Sequence, residues 1–143
     1  MRPLFVLLFP AALHAQMITA NPCTLLTPAE VLSVTSDTVT RTALSQFQTP
    51  VCTIVTSDTN ATITIKVETT RDYLDDYWDA VNDSTKPIPS LGDRAIVTGK
   101  PPVTRVLRRG HVYTITYTNL TLPPDAIRDR EKALARFAIA RAP

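Results

Sequence analysis

The sequence predicts a single α+β domain: an antiparallel sheet with packed helices, in the order α-ββ-α-βββ-α, closed by one disulfide. Three observations lead there. Strand-like segments follow one another across short turns rather than helical crossovers, which implies antiparallel pairing. Segments with helical caps or helical spacing fall before, between and after those strands. Two cysteines, Cys23 and Cys52, lie downstream of an export-type leader, a setting in which a disulfide persists.

The leader has three parts. Arg2 is its positive end, Leu4 to Phe9 its apolar run, and Pro10 the break. Leu13-His14-Ala15 before Gln16 reads as a cleavage site. The expected division is therefore a signal peptide at 1–15 and one α+β domain at 16–143, secreted or periplasmic. The 143 residues are 44% hydrophobic and 20% charged, with a formal net charge of +2. That composition excludes a disordered chain. It gives no electrostatic case for nucleic acid or an anionic membrane. No later stretch has the length of a membrane span, so no stable membrane insertion is expected once the signal is cleaved. Pro22 before Cys23 departs from a lipobox. The pair Cys23 and Cys52 is read as a disulfide, against a lipid anchor or two free thiols.

The elements follow in order. Thr27-Pro28-Ala29-Glu30 is a capping box with proline at the first helical position. Leu26 and Val31 occupy the staple positions, and the helix is expected to end near Val34. Residues 38–47 hold an irregular strand at best. Val51 to Thr56, the turn Ser57 to Asn60 and Ala61 to Glu68 form a hairpin. In its second strand Ala61, Ile63, Ile65 and Val67 alternate toward the core with Thr62, Thr64, Lys66 and Glu68 outward. Tyr73, Leu74, Tyr77, Trp78 and Val81 make one apolar stripe on a second helix from Thr70 to Asn82. Lys86 to Asp93 is a proline-marked loop. Strands are then expected at Arg94–Thr98, Val103–Leu107 and His111–Thr118, with Arg108-Arg109-Gly110 as the last turn. Pro123-Pro124-Asp125 opens a final helix, with Ile127, Leu134 and Phe137 on its inner side and a mixed, solvated surface outward.

Pro22-Cys23-Thr24-Leu25-Leu26-Thr27-Pro28-Ala29-Glu30-Val31 resembles the C-S-L-L-T-x-A-E-V opening of small exported bacterial proteins and lipoproteins of unknown function. Cys52 stands where those families carry a second cysteine. Ser90-Leu91-Gly92-Asp93-Arg94-Ala95 is similar to their G-L-G-D-x-A turn, and Val106 to Ile115 to their following hairpin. The resemblance implies a one-domain α+β fold in the envelope or medium, and in some relatives a sensor or ligand-binding role. It implies no activity.

Chemistry is sparse. His14 falls in the leader, so His111 is the one histidine of the expected mature chain. No nucleophile elbow or metalloprotease helix is present, and three glycines leave no Gly-rich phosphate loop. No catalytic residue, metal ligand or cofactor is expected. Asp72, Asp75, Asp76, Asp79 and Asp83 form an acidic face on the second helix, read as solvated or as a docking face for a basic partner. Lys100, Arg105, Arg108 and Arg109 gather around one hairpin, where paired arginines suit an anion. The candidate ligand-binding residues are Trp78, Arg108 and Arg109. The functional expectation is a non-catalytic ligand-binding or sensing module of the cell envelope, its partner an unknown small ligand or envelope protein. The alternatives are an adaptor using the acidic face and a small envelope hydrolase using His111.

Overall fold

The computed structural model describes residues 21–69, 85–99 and 101–143. Its elements run as a 3-10 turn (Pro22–Thr24), α1 (Pro28–Thr35), β1 (Val39–Ser45), β2 (Val51–Thr56), β3 (Ala61–Thr69), β4 (Thr85–Pro87), β5 (Arg94–Thr98), β6 (Val103–Arg108), β7 (His111–Asn119) and α2 (Pro124–Arg141). The strands form one seven-stranded antiparallel sheet in the order β1-β2-β3-β7-β6-β5-β4. Two meanders, β1 to β3 and β4 to β7, thus meet at the long β3–β7 seam, where Ala61 faces Asn119 and Thr69 faces His111.

Alternation places the core. Ala61, Ile63, Ile65 and Val67 of β3 are buried, as are Tyr113, Ile115 and Tyr117 of β7 and Cys52 and Ile54 of β2. Register puts these side chains on one face. They pack with Leu25, Leu26 and Val31 from the first helical turn region and with Leu134, Ala135, Ala138 and Ile139 of α2 in one continuous core. Both described helices therefore lie on the same side of the sheet. The opposite face carries Thr53, Thr62, Thr64, Thr114 and Thr116, all partly exposed, with a small apolar island of Ile96, Val112 and Leu107.

The capping box forms as expected. Thr27 Oγ1 accepts from the Glu30 N–H, and a Glu30 carboxylate oxygen accepts from the Thr27 N–H at 2.9 Å. Arg141, in the last turn of α2, donates to both carboxylate oxygens of Glu30. Burial works to raise the Glu30 carboxyl, but the hydrogen bonds from Arg141 and Thr27 outweigh it and hold its pKa below the ordinary value. The sulfurs of Cys23 and Cys52 are bonded, with Cα atoms 5.0 Å apart. The bridge ties the 3-10 turn to β2.

Several expectations are corrected. The irregular strand expected after α1 is present as β1, with a register shift between Val39 and Arg41 and every residue beyond Val39 exposed; what the expected order lacked is its place as a sheet strand paired with β2. It pairs with β2 yet lies past the edge of the core, so no alternation was written into it. The proline-marked loop begins with a short strand, β4, in which Pro87 occupies the sheet edge. Phe137 is 38% exposed rather than inward. Glu131, expected on a solvated surface, is completely buried. The apolar stripe of α2 runs Ile127–Leu134–Ala138, and Glu131 sits within it at helical spacing while Phe137 sits off it. The expected second helix, with Trp78 and the aspartate face, lies outside the described residues.

Candidate functional site

The helix-bearing face of the sheet has two ends, and they differ in how their polar atoms are satisfied. At the β7 C-terminal end the polar side chains bond one another. Asn119 Nδ2 donates to Asp58 Oδ2 at 3.0 Å and to the Tyr117 hydroxyl at 3.2 Å, and its Oδ1 accepts from the N–H groups of Thr121 and Leu122. Arg130 donates to the same tyrosine oxygen at 3.0 Å. The backbone N–H of Asn60 holds the Asp58 carboxyl below its usual pKa, helped by Asn119 against a contrary pull from burial. This network fastens the β2–β3 turn to the start of α2.

Glu131 completes that half of the fold. β6 begins at Val103, so its ladder with β7 stops before it reaches Tyr117. The Tyr117 N–H donates instead to Glu131 Oε2 at 2.9 Å, and the Thr104 hydroxyl donates to Oε1 at 2.7 Å. Burial raises the Glu131 pKa to about 7, even though these hydrogen bonds and the Arg105 charge act to lower it. The side chain is a buried hook from α2 to two strands.

The other end is the β6–β7 hairpin. Arg109 (φ 48) and Gly110 (φ 76) both take positive φ, forming the two-residue turn that matches strand twist. The Arg109 N–H donates to Asp93 Oδ2 at 2.7 Å, which anchors the turn to the loop before β5. Of the two arginines proposed from sequence, Arg108 is half-buried and Arg109 exposed. Arg108 faces His111 across the ladder, and Tyr113 follows His111 by two residues, so all three share the helix-bearing face. The His111 and Tyr113 rings are 6.4 Å apart. Arg108 Nε, His111 Nε2 and the Tyr113 hydroxyl are buried and have no hydrogen-bond partner. Burial pushes the Tyr113 hydroxyl pKa up, against the opposing charge of Arg108 and Arg109.

Beside this end lies a half-open cleft of about 590 Å³. Its walls are Asn21 and Pro22 of the 3-10 turn, Gln46, Gln48 and Thr49 of the β1–β2 loop, and Thr69 at the end of β3. Leu44, Pro50 and Val67 supply apolar surface. The Cys23–Cys52 bridge joins the 3-10 wall to the β2 side. Val67 and Thr69 pair directly with Tyr113 and His111, so cleft and hairpin are neighbours on one face. Phe47, at the tip of the same loop, is 83% exposed.

Sequence reading found Arg108 but missed His111 and Tyr113 as its companions; their shared parity across a two-residue turn was the available signal. It missed the cleft altogether, because Gln46, Gln48 and Thr69 come from segments without pattern. Trp78 and Lys100 lie outside the described residues. Among the described residues no cluster of His, Cys, Asp or Glu could hold a metal ion, and no helix is long and apolar enough to cross a membrane.

These features define a disulfide-braced α+β domain with a polar cleft at one end of its sheet. Comparison with protein-family models, with curated proteins and with solved structures found no match for this chain.

Proposed function

We propose that this chain is an exported, non-catalytic ligand-binding module whose small polar ligand sits in the cleft between the 3-10 turn, the β1–β2 loop and the end of β3. The cleft carries the reading. Its volume of about 590 Å³ falls within the range of small-molecule sites. Amide and hydroxyl side chains over apolar surface suit a ligand with both hydrogen-bonding groups and an apolar body. The disulfide across its walls supports pre-organisation, which lowers the entropic cost of binding. It also supports an oxidising compartment, in keeping with the leader.

The test is thermal unfolding of the oxidised chain with a panel of neutral sugars, amino acids and cell-wall fragments. A ligand present at 100 times its Kd stabilises the folded state by about 2.7 kcal/mol. Gln46→Ala and Gln48→Ala, at exposed positions, should weaken such a ligand while leaving unfolding of the free protein nearly unchanged. A panel without any shift, or a ligand indifferent to both substitutions, refutes the cleft as the seat.

A further inference from the structure

Residues 70–84 lie outside the described residues, yet the two points they join are fixed. β3 ends at Thr69, opposite His111 at the hairpin end of the sheet. β4 begins at Thr85, opposite Thr98, which faces Val103 at the other end. The strands β7, β6 and β5 stand between them. Every neighbouring pair is antiparallel, so β3 and β4 run parallel. The stretch 70–84 is therefore a crossover connection, and such crossovers are right-handed in about 98% of cases.

Handedness selects a face. Val67 points into the core on the helix-bearing side, and its N–H donates to the carbonyl oxygen of Pro50, next to β2. In an L-residue on an upward strand with its side chain toward the viewer, the N–H points right. Seen from the helix-bearing side with β3 upward, β2 is thus on the right and β7 through β4 on the left. A right-handed crossover from β3 to β4 has to pass over the opposite face, the one without α1 and α2.

That face carries the mark of a cover. Ile96 and Val112 are each 2% exposed there, with Leu107 packed against them. Thr62, Thr64, Thr114 and Thr116 of the same face stay partly exposed, so a place on the sheet does not by itself bury a side chain. The route fits the island. Thr69 to Thr85 is roughly 19 Å across four strand spacings and roughly 17 Å along the strands, a diagonal of roughly 25 Å. It crosses β7 near Val112, β6 near Leu107 and β5 near Ile96. Residues 70–84 reach about 22 Å even at helical rise, and more where extended. Charge agrees. The stretch carries five aspartates and one arginine, while Arg94 and Arg105 pair in register with Leu107 and Ile96.

We propose that the helix-free face of the sheet is a docking face for residues 70–84 of the same chain, with the apolar stripe of Tyr73, Leu74, Tyr77, Trp78 and Val81 laid across Val112, Leu107 and Ile96. The sheet is then enclosed on both faces. Trp78 stands on the side opposite the polar cleft and takes no part in it, and the inference does not rest on the cleft being occupied.

Trp78 is the chain's single tryptophan, so its fluorescence tests the docking in the intact, oxidised protein. In wild type its emission should be blue-shifted and shielded from acrylamide. Leu107→Asp puts a charge in the island and should raise quenching toward that of the urea-unfolded chain. Thr64→Asp, on the same face but off the diagonal, should leave quenching unchanged, as should Gln48→Ala in the cleft, so failure of the cleft and failure of this docking read out separately. Wild-type quenching equal to that of the unfolded chain overturns the proposal, and so does a Trp78 indifferent to Leu107→Asp. If Leu107→Asp does not fold, hydroxyl-radical footprinting of a Tyr77→Ser/Trp78→Ser double variant decides. Labelling should rise at Leu107, Ile96 and Val112 while Tyr117 and Leu134 on the other face stay protected. Labelling unchanged at the island, or raised no more there than at Tyr117 and Leu134, refutes the docking.

Discussion

Glu131 makes stability depend on pH in an unusual direction, and Glu131→Gln isolates the effect. The carboxyl is wholly buried and its pKa is raised from 4.5 to about 7. The folded state therefore binds a proton more tightly than the unfolded chain across that interval. Stability is fully present below the unfolded value near 4.5 and falls as pH rises through about 7. A shift of that size corresponds to about 3 kcal/mol between the two limits, at 1.36 kcal/mol per pKa unit. A glutamine mimics the protonated acid: its oxygen accepts from the Tyr117 N–H while its amide donates to the Thr104 hydroxyl. Urea unfolding from about pH 4.5 to 8.5 is the assay. Wild type should lose roughly 1–2 M in midpoint over the range, given ordinary m-values, and Glu131→Gln should lose much less. The two proteins should be nearly equal at the acid end and the variant more stable at the alkaline end. Subtracting the curves removes every other titrating group. A difference that does not change with pH refutes the argument. Glu131→Ala is the control for the hook itself. It strands the Tyr117 N–H and Thr104 hydroxyl and should cost about 3 kcal/mol at the acid end, a difference from wild type that shrinks as pH rises through about 7 because only wild type loses stability there.

Two further outcomes are expected. Replacing Cys23 and Cys52 together by serine opens a loop with a sequence separation of 29 residues, which should lower urea-unfolding stability by roughly 3–4 kcal/mol in the chain-entropy model; a loss below about 1 kcal/mol refutes that account. Gly92→Ala and Gly110→Ala should part company although both sites have positive φ. A Cβ on Gly92 would sit 2.5 Å from Val106 Cγ1 and 2.6 Å from the Leu107 carbonyl oxygen, while one on Gly110 meets nothing within 4 Å. Gly110→Ala should thus cost only the roughly 1 kcal/mol of left-handed strain, and Gly92→Ala clearly more, as read from thermal unfolding midpoints.

What the sequence determined by itself is local. The capping box at Thr27 and Glu30, the alternation of β3 and β7 and a tight turn at Gly110, read from sequence as Arg108-Arg109-Gly110 and found to be Arg109-Gly110 with Arg108 ending β6, each depend on contacts within a few positions. Propensity, side-chain parity and backbone sterics dictate them wherever the segment lies. The two cysteines in an export setting were likewise enough to expect their bond. The tertiary structure decided everything that pairs residues distant along the chain. Joining of the meanders at the β3–β7 seam places Val67 and Thr69 against Tyr113 and His111, and no short window of sequence contains that register. β1 escaped the pattern because its exposure relieved it of alternation. Glu131 reads as a surface charge until α2 is docked, for only the end of β6 at Val103 creates the unpaired Tyr117 N–H that it meets.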